Sequence, residues 1–261
     1  MDENYQTFLN RVMRLTLPDT YKSQVQHIQK SPKFQRSLED VWLPTAFPGY
    51  TVITPPGSED GKNRGLYESL KHYQNRIAQT LGAEMFAPIP ADSFHVTVAD
   101  LIWNGAYLHA AESPGFDERL RDRVAGSFRQ SQPIGTGEAI RFQVVGLMVM
   151  ARAIAVCLAT VDSSGYERIL KFRRSIYQNP GLIEIGIEQQ YYFTPHITLG
   201  YFGKLPTDLD RAQLSQTFDE LNQDWLDNYP DNEFWIHQAE FRKFNNMVEY
   251  LREPDWATFQ F

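Results

Sequence analysis

Phe94-His95-Val96-Thr97-Val98 and Pro195-His196-Ile197-Thr198-Leu199 carry one pattern: a histidine and a threonine two positions apart inside a short apolar run. Successive side chains of a β-strand point to opposite faces. As strands, His95 and Thr97 share one face and Val96 and Val98 the other. His196 and Thr198 do the same, with Ile197 and Leu199 turned away. Each strand would bury its aliphatic face and offer an imidazole and a hydroxyl on the opposite side. The remaining histidines, His27, His72, His109 and His237, have no threonine two positions on.

Two such strands facing one cleft supply two imidazoles and two hydroxyls, which suits phosphate chemistry. One imidazole can take a proton from an attacking water while the other gives one to a leaving oxygen. The hydroxyls can donate to non-bridging oxygens. His95 and His196 are therefore the expected catalytic pair, and Thr97 and Thr198 the expected phosphate-binding residues. Which histidine is acid and which base stays open. Thr194 falls on the His196 face and is expected to line the cleft, whereas Tyr191, Phe193 and Tyr201 fall on the other face and are expected in the core. Gly200, on the active face, leaves room there, either for a ligand or for close backbone packing. The Gly-flanked loop 58–65 reads either as a solvated loop or as one that folds over a phosphate; in the second case Lys62 and Arg64 are possible substrate-binding cations, with Arg141 and Arg152 as further candidates.

The elements around the motifs follow from periodicity and punctuation. Residues 3–15 read as a short amphipathic helix, and 16–48, with prolines at 18, 32, 44 and 48, as an irregular arm wrapping the core. Tyr50–Thr54 is a strand. Leu66–Leu81 is a helix with one apolar stripe and Gly82 just past its end. Ser93–Trp103 is the first motif strand, 104–115 a loop, and 117–129 a solvated helix. Residues 144–161 are almost wholly apolar, long enough to raise the question of a membrane span. Arg152 at the centre and the abundance of Val and Ile favour a buried hairpin, 140–150 with 153–162. Asp162 caps a helix over 165–177. Tyr191–Phe202 is the second motif strand, 207–227 a helix, and 233–243 with 247–251 a hairpin turning at Asn245-Asn246. The expected class is α+β: two lobes of antiparallel sheet backed by helices, related by a pseudo-two-fold axis, with one motif strand each.

The chain has 261 residues, a net charge of −7 and a pI near 5.4. That acidity disfavours gripping long nucleic acid, whose affinity comes from neutralising many phosphates. A local pocket for one phosphate is unaffected. A single cysteine, Cys157, rules out an internal disulfide and a cysteine-based zinc site. The first residues lack a basic-then-apolar leader, so the expected compartment is the cytoplasm. There is no Walker loop, no dinucleotide fingerprint and no metal-spaced His/Asp cluster, so neither a cofactor nor a metal is expected.

The paired motifs resemble those of the 2H (two-histidine) phosphoesterase superfamily. A second likeness, to a bacterial branch of that superfamily, lies in Phe47-Pro48-Gly49-Tyr50-Thr51-Val52-Ile53 and in Pro88-Ile89-Pro90-Ala91-Asp92-Ser93 running into the first motif. The resemblance covers roughly residues 45–250. It divides the chain into an arm, 1–45, and a two-lobed domain, 46–261. It implies a metal-independent phosphodiesterase acting on a cyclic phosphate, such as a 2′,3′-cyclic nucleotide or an RNA end. The alternatives are a nucleotide-binding module with little turnover and a 2′-5′ RNA ligase-like activity. The implied partner is a small nucleotide or RNA end, with no membrane involved.

Overall fold

The computed structural model describes residues 3–229 and 232–261. Helices α1 (Tyr5–Arg14) and α2 (Pro18–Gln24) come first, followed by the paired short strands β1 (Phe34–Arg36) and β2 (Trp42–Pro44). Then come β3 (Gly49–Ile53), α3 (Arg64–Leu81), β4 (Phe86–Pro88), β5 (Thr97–Trp103), α4 (Asn104–Ala110) and α5 (Phe116–Gln130). The hairpin β6 (Ile140–Val149) and β7 (Ala153–Thr160) leads through α6 (Ser163–Tyr177) and α7 (Pro180–Glu184) to β8 (His196–Phe202). The chain closes with α8 (Arg211–Asn228), β9 (Glu233–Ile236), β10 (Gln238–Phe244), β11 (Tyr250–Leu251) and β12 (Thr258–Gln260).

The fold is α+β, with two five-stranded antiparallel sheets. One runs β11-β10-β3-β5, with β12 also on β10, and the other runs β4-β8-β7-β6-β9. Each sheet carries one motif strand, β5 or β8. Each also borrows strands from the opposite half of the chain: β4 pairs with β8, and β10 pairs with β3. The two sheets are therefore not an N-terminal and a C-terminal unit.

Local sequence explains the main elements. In α3, Leu66, Leu70, Tyr73 and Ile77 form the buried stripe, and Gly82 ends the helix at φ +82°. In α6, the Asp162 carboxylate accepts the Gly165 N–H at 2.7 Å, while Ile169, Phe172 and Ile176 are buried. Every residue of β7 is buried, because β7 lies inside its sheet between β6 and β8 and α1 and α6 pack against it. The apolar run 144–161 is thus the hairpin, and among the described residues no helix is long and apolar enough to cross a membrane.

Several elements outside the cleft depart from the sequence reading. Residues 104–110 form α4, not loop: Asn104, at φ +48°, makes the sharp turn into it, and Tyr107 buries. The stretch 233–243 is not one strand. It breaks at His237, so that β9 pairs with β6 and β10 with β3, in different sheets. The short helix α7 follows the Asn179-Pro180-Gly181 stop. Residues 16–48 are not irregular, since they hold α2, β1 and β2, and the arm does more than wrap: Phe8, Val12, Tyr21, Val25, Ile28 and Phe34 are buried in the same core as the sheets.

Candidate active site

β5 and β8 deliver their motifs to one cleft of about 330 Å³, lined by His95, Thr97, His196 and Thr198 together. His95 precedes the β5 ladder, yet its alternation is fixed. Val96 accepts from Thr54 N and donates to Thr54 Oγ1, both at 3.0 Å. Val96 and Val98 are fully buried, as are Ile197 and Leu199, so the imidazoles and hydroxyls take the open side.

The two histidines are held identically. His95 Nδ1 lies 2.7 Å from the carbonyl of Ser93, and His196 Nδ1 lies 2.8 Å from the carbonyl of Thr194. A carbonyl only accepts, so Nδ1 carries the hydrogen in both rings and Nε2 is left to work. The backbone two residues upstream therefore sets the tautomer and the aim of each ring.

Strict alternation fails after each threonine. β3–β5 pairing steps from Ile53–Thr97 to Val52–Ala99, and from Thr51–Asp100 to Tyr50–Ile102. β7–β8 pairing steps from Ala155–Thr198 to Ile154–Gly200. Each step is a bulge that adds one residue and shifts the phase of the faces. Asp100, not Ala99, therefore lines the cleft, and Tyr201, not Gly200, does so from the other sheet. Each cleft wall thus reads histidine, threonine two on, and a polar residue five on. Gly200 instead backs against Phe86, whose ring lies 2.5 Å from where a Cβ would sit, so it serves packing and leaves no room for a ligand.

Residues 191–195 also differ from expectation. They precede the ladder of β8 and are pinned by arginines: Arg11 donates to Thr194 Oγ1 and to the Phe193 carbonyl, both at 2.7 Å, and Arg173 donates to the Tyr191 carbonyl at 3.4 Å. Phe193 is core, as read. Tyr191 is 58% exposed and stands at the cleft. Thr194 lines an adjoining chamber of about 410 Å³ that meets the cleft at Thr97, Asp100, Trp103, Tyr191 and His196. That chamber is more apolar, with Met148, Met150, Tyr177, Tyr192 and Phe193 in its walls.

Lys62 and Arg64 are not brought to the cleft. Asp60 ties their loop down by accepting from Asn63 Nδ2 at 2.6 Å and from Tyr67 Oη at 3.2 Å, and Asn63 Nδ2 donates to the Trp235 carbonyl at 2.9 Å. Lys62 Nζ sits 3.3 Å from His237 Nδ1, and Arg64 is exposed at the start of α3. Arg141 pairs with Glu233, and Arg152 meets Gln29 Oε1 at 3.2 Å. Sequence reasoning missed Lys33, which lines the cleft from the arm. It also missed Asp100, Thr51 and Tyr250, whose ring centroid lies 4.4 Å from that of His95. Arg242 places Tyr250 by donating to its carbonyl at 2.8 Å, and its own charge is held by Glu240 and Glu59.

The electrostatics separate the two imidazoles. Burial pushes His95 down from 6.5 to about 4, against the support of the Ser93 carbonyl, and His196 and Arg242 push the same way. Burial also lowers His196, but the Thr194 carbonyl and the Asp100 carboxylate favour its charged form, with Lys33 opposing. Asp100 opens onto the cleft and is ringed by protein: desolvation raises its carboxyl, while Arg173, His196 and Lys33 draw it down. Among the described residues no three His, Cys, Asp or Glu side chains converge as metal ligands would.

No family model matches the chain, and no curated protein does. Among solved structures the agreement is in architecture. The chain shares the fold of a conserved Agrobacterium tumefaciens protein of unknown function, ATU0111. The two align at a TM-score of 0.58 and 16% identity, over 89% of this chain and 96% of that one. Escherichia coli LigT complexed with 3′-AMP aligns at 0.44 and 12% identity, over 83% of this chain and 98% of LigT. Kluyveromyces marxianus Usb1 with uridine monophosphate aligns at 0.43 and 12%, over 82% and 97%. Likenesses as distant as these last two say nothing about chemistry.

Proposed function

We propose that this protein is a phosphodiesterase that hydrolyses a cyclic phosphate by two-histidine acid–base catalysis. One observation carries the reading. Two equivalent units, each a histidine with Nδ1 held by the carbonyl two residues back and a threonine two residues on, line the same cleft from different sheets.

In-line attack on a cyclic phosphodiester brings water to phosphorus opposite the departing ribose oxygen, so the base and the acid belong on opposite walls. His95, held neutral by its surroundings, takes the proton from water through Nε2. His196, whose charged form Asp100 favours, gives a proton to the leaving oxygen. Thr97 and Thr198 donate to the non-bridging oxygens and steady the charge that develops there. The bound anion favours the charged form of both imidazoles, so kcat, which reports the enzyme–substrate complex, follows a bell with one ring neutral and the other charged. The paired motifs' resemblance to 2H phosphoesterases supports the same reading. The apolar chamber beside His196 offers a place for the organic part of the substrate.

The test is hydrolysis of a panel of 2′,3′-cyclic nucleotides in the presence of EDTA. His95→Ala and His196→Ala should each lose about 10²–10⁴-fold in rate. A loss below tenfold in a folded variant removes that histidine from the chemistry. Stoichiometric retention of the nucleotide without turnover would make the protein a binding module.

A further inference from the structure

We propose that Lys33, carried by the arm before β3, is the cation that holds the anionic oxygens of the phosphate bound between the two histidines. The inference rests on the cyclic phosphodiester reading of the same cleft and adds the residue that neutralises its substrate.

Among the described residues lining that cleft, Lys33 is the only lysine or arginine. Four arginines that could serve instead are engaged elsewhere. Arg242 is held by Glu240 and Glu59, and Arg141 by Glu233. In the adjoining chamber, Arg11 is bound to Glu3, Thr194 and Phe193, and Arg173 to the carbonyls of Val98 and Tyr191. Lys33 Nζ makes no hydrogen bond or ion pair among the described residues. It stands 4.5 Å from the ring centroid of Phe47 and 5.2 Å from that of Tyr201. Aromatic faces tolerate a cation without neutralising it, so its charge stays available to a ligand.

The backbone of Lys33 is built into place. Ser31 N donates to the Phe202 carbonyl at 2.8 Å, beside Tyr201 on β8. Lys33 N donates to Ser31 Oγ at 3.2 Å, and the Lys33 carbonyl accepts from Thr45 N at 2.9 Å. The arm is thus stitched to the end of a motif strand at the point where its lysine reaches the cleft. The groups facing that ammonium are Asp100 from β5, Arg152 from the β6–β7 turn, and His196 and Tyr201 from β8, and Tyr250 from β11 lines the same cleft. Burial lowers Lys33 from 10.5 to about 8, with Asp100 raising it and Arg152 lowering it. Anion binding that depends on this ammonium is therefore present at neutral pH and lost as pH rises through about 8.

Sulfate is the probe, because it stays a dianion over the whole range. Binding to the full chain is measured by calorimetry from pH 7 to pH 9.5 for the parent, Lys33→Met and Lys33→Arg. The parent should lose affinity with a midpoint near pH 8. Lys33→Met should bind about 10–100-fold more weakly at pH 7. Lys33→Arg, charged throughout, should keep binding and lose the alkaline midpoint. Sulfate binding unchanged in Lys33→Met, no binding by the parent, or an alkaline midpoint that persists in Lys33→Arg would each overturn the assignment. Turnover lost in the histidine variants but untouched in Lys33→Met would overturn it while leaving the two-histidine reading intact. Lys33-dependent sulfate binding without turnover on the cyclic panel would support the anion site and count against the reaction.

Discussion

Replacing His95 by glutamine should flatten the acid dependence of stability. In the folded protein burial holds His95 at about 4, whereas an unhindered imidazole titrates at 6.5. The folded pKa is the lower one, so between these values the unfolded chain binds the proton more tightly. Acidification through that window therefore favours unfolding, and below about pH 4 both states are protonated and the dependence ends. One pKa unit corresponds to about 1.36 kcal/mol. The linkage then gives about 2 kcal/mol lost between pH 7 and pH 4.5. His95 is half-buried at the cleft wall, and screening by solvent reduces the expected loss to about 1–2 kcal/mol. Urea unfolding of the parent and of His95→Gln, followed by circular dichroism at both pH values, isolates it: His196 and the carboxylates are common to the two proteins. The parent should lose about 1–2 kcal/mol more than the variant. Parallel losses would refute the reasoning, since His95 would then be solvated and the physical ground for making it the base would be gone.

Other perturbations probe the remaining parts. Asp100→Asn removes the carboxylate that favours charged His196, so the alkaline limb of kcat/KM should move to lower pH; an unmoved limb would detach Asp100 from the acid. Thr97→Val and Thr198→Val should each lower kcat by about 10–100-fold with the fold intact, read by steady-state kinetics. Arg242→Ala leaves Glu240, only 4% exposed, without its partner and should cost about 3–5 kcal/mol in urea unfolding. A cost under about 1 kcal/mol would mean that the pair is effectively solvated.

The period-2 reading placed His95 with Thr97 and His196 with Thr198, and it held there because nothing interrupts either strand between the two residues. It failed immediately afterwards. The bulges beyond Thr97 and Thr198 have no signature in alternation, so Asp100 went unremarked and Gly200 stood where Tyr201 belongs. Helices α3 and α6 were legible because each carries its stripe and its end signal in its own residues. α4 was not, because Asn104-Gly105 reads as a turn and only the burial of Tyr107 favours a helix after it. The break at His237 was equally hidden: β9 and β10 are each apolar enough to extend the other, and only their partners, β6 and β3, separate them.

The sequence by itself determined which residues form the paired His-x-Thr units and which face of each strand they occupy, because side-chain direction is a local property of the backbone. It also determined the α+β class, since helical and strand periods are written in successive residues. Tertiary structure alone decided what surrounds those residues. It crossed β4 and β10 into the opposite sheets, shifted Asp100 and Tyr201 into the cleft, and brought Lys33 from the arm to the end of β8. Those outcomes depend on which segments pair across long separations and on how much water each group loses in the packing. The charge states that set the two histidines apart depend on the same burial, and so became readable only in the folded chain.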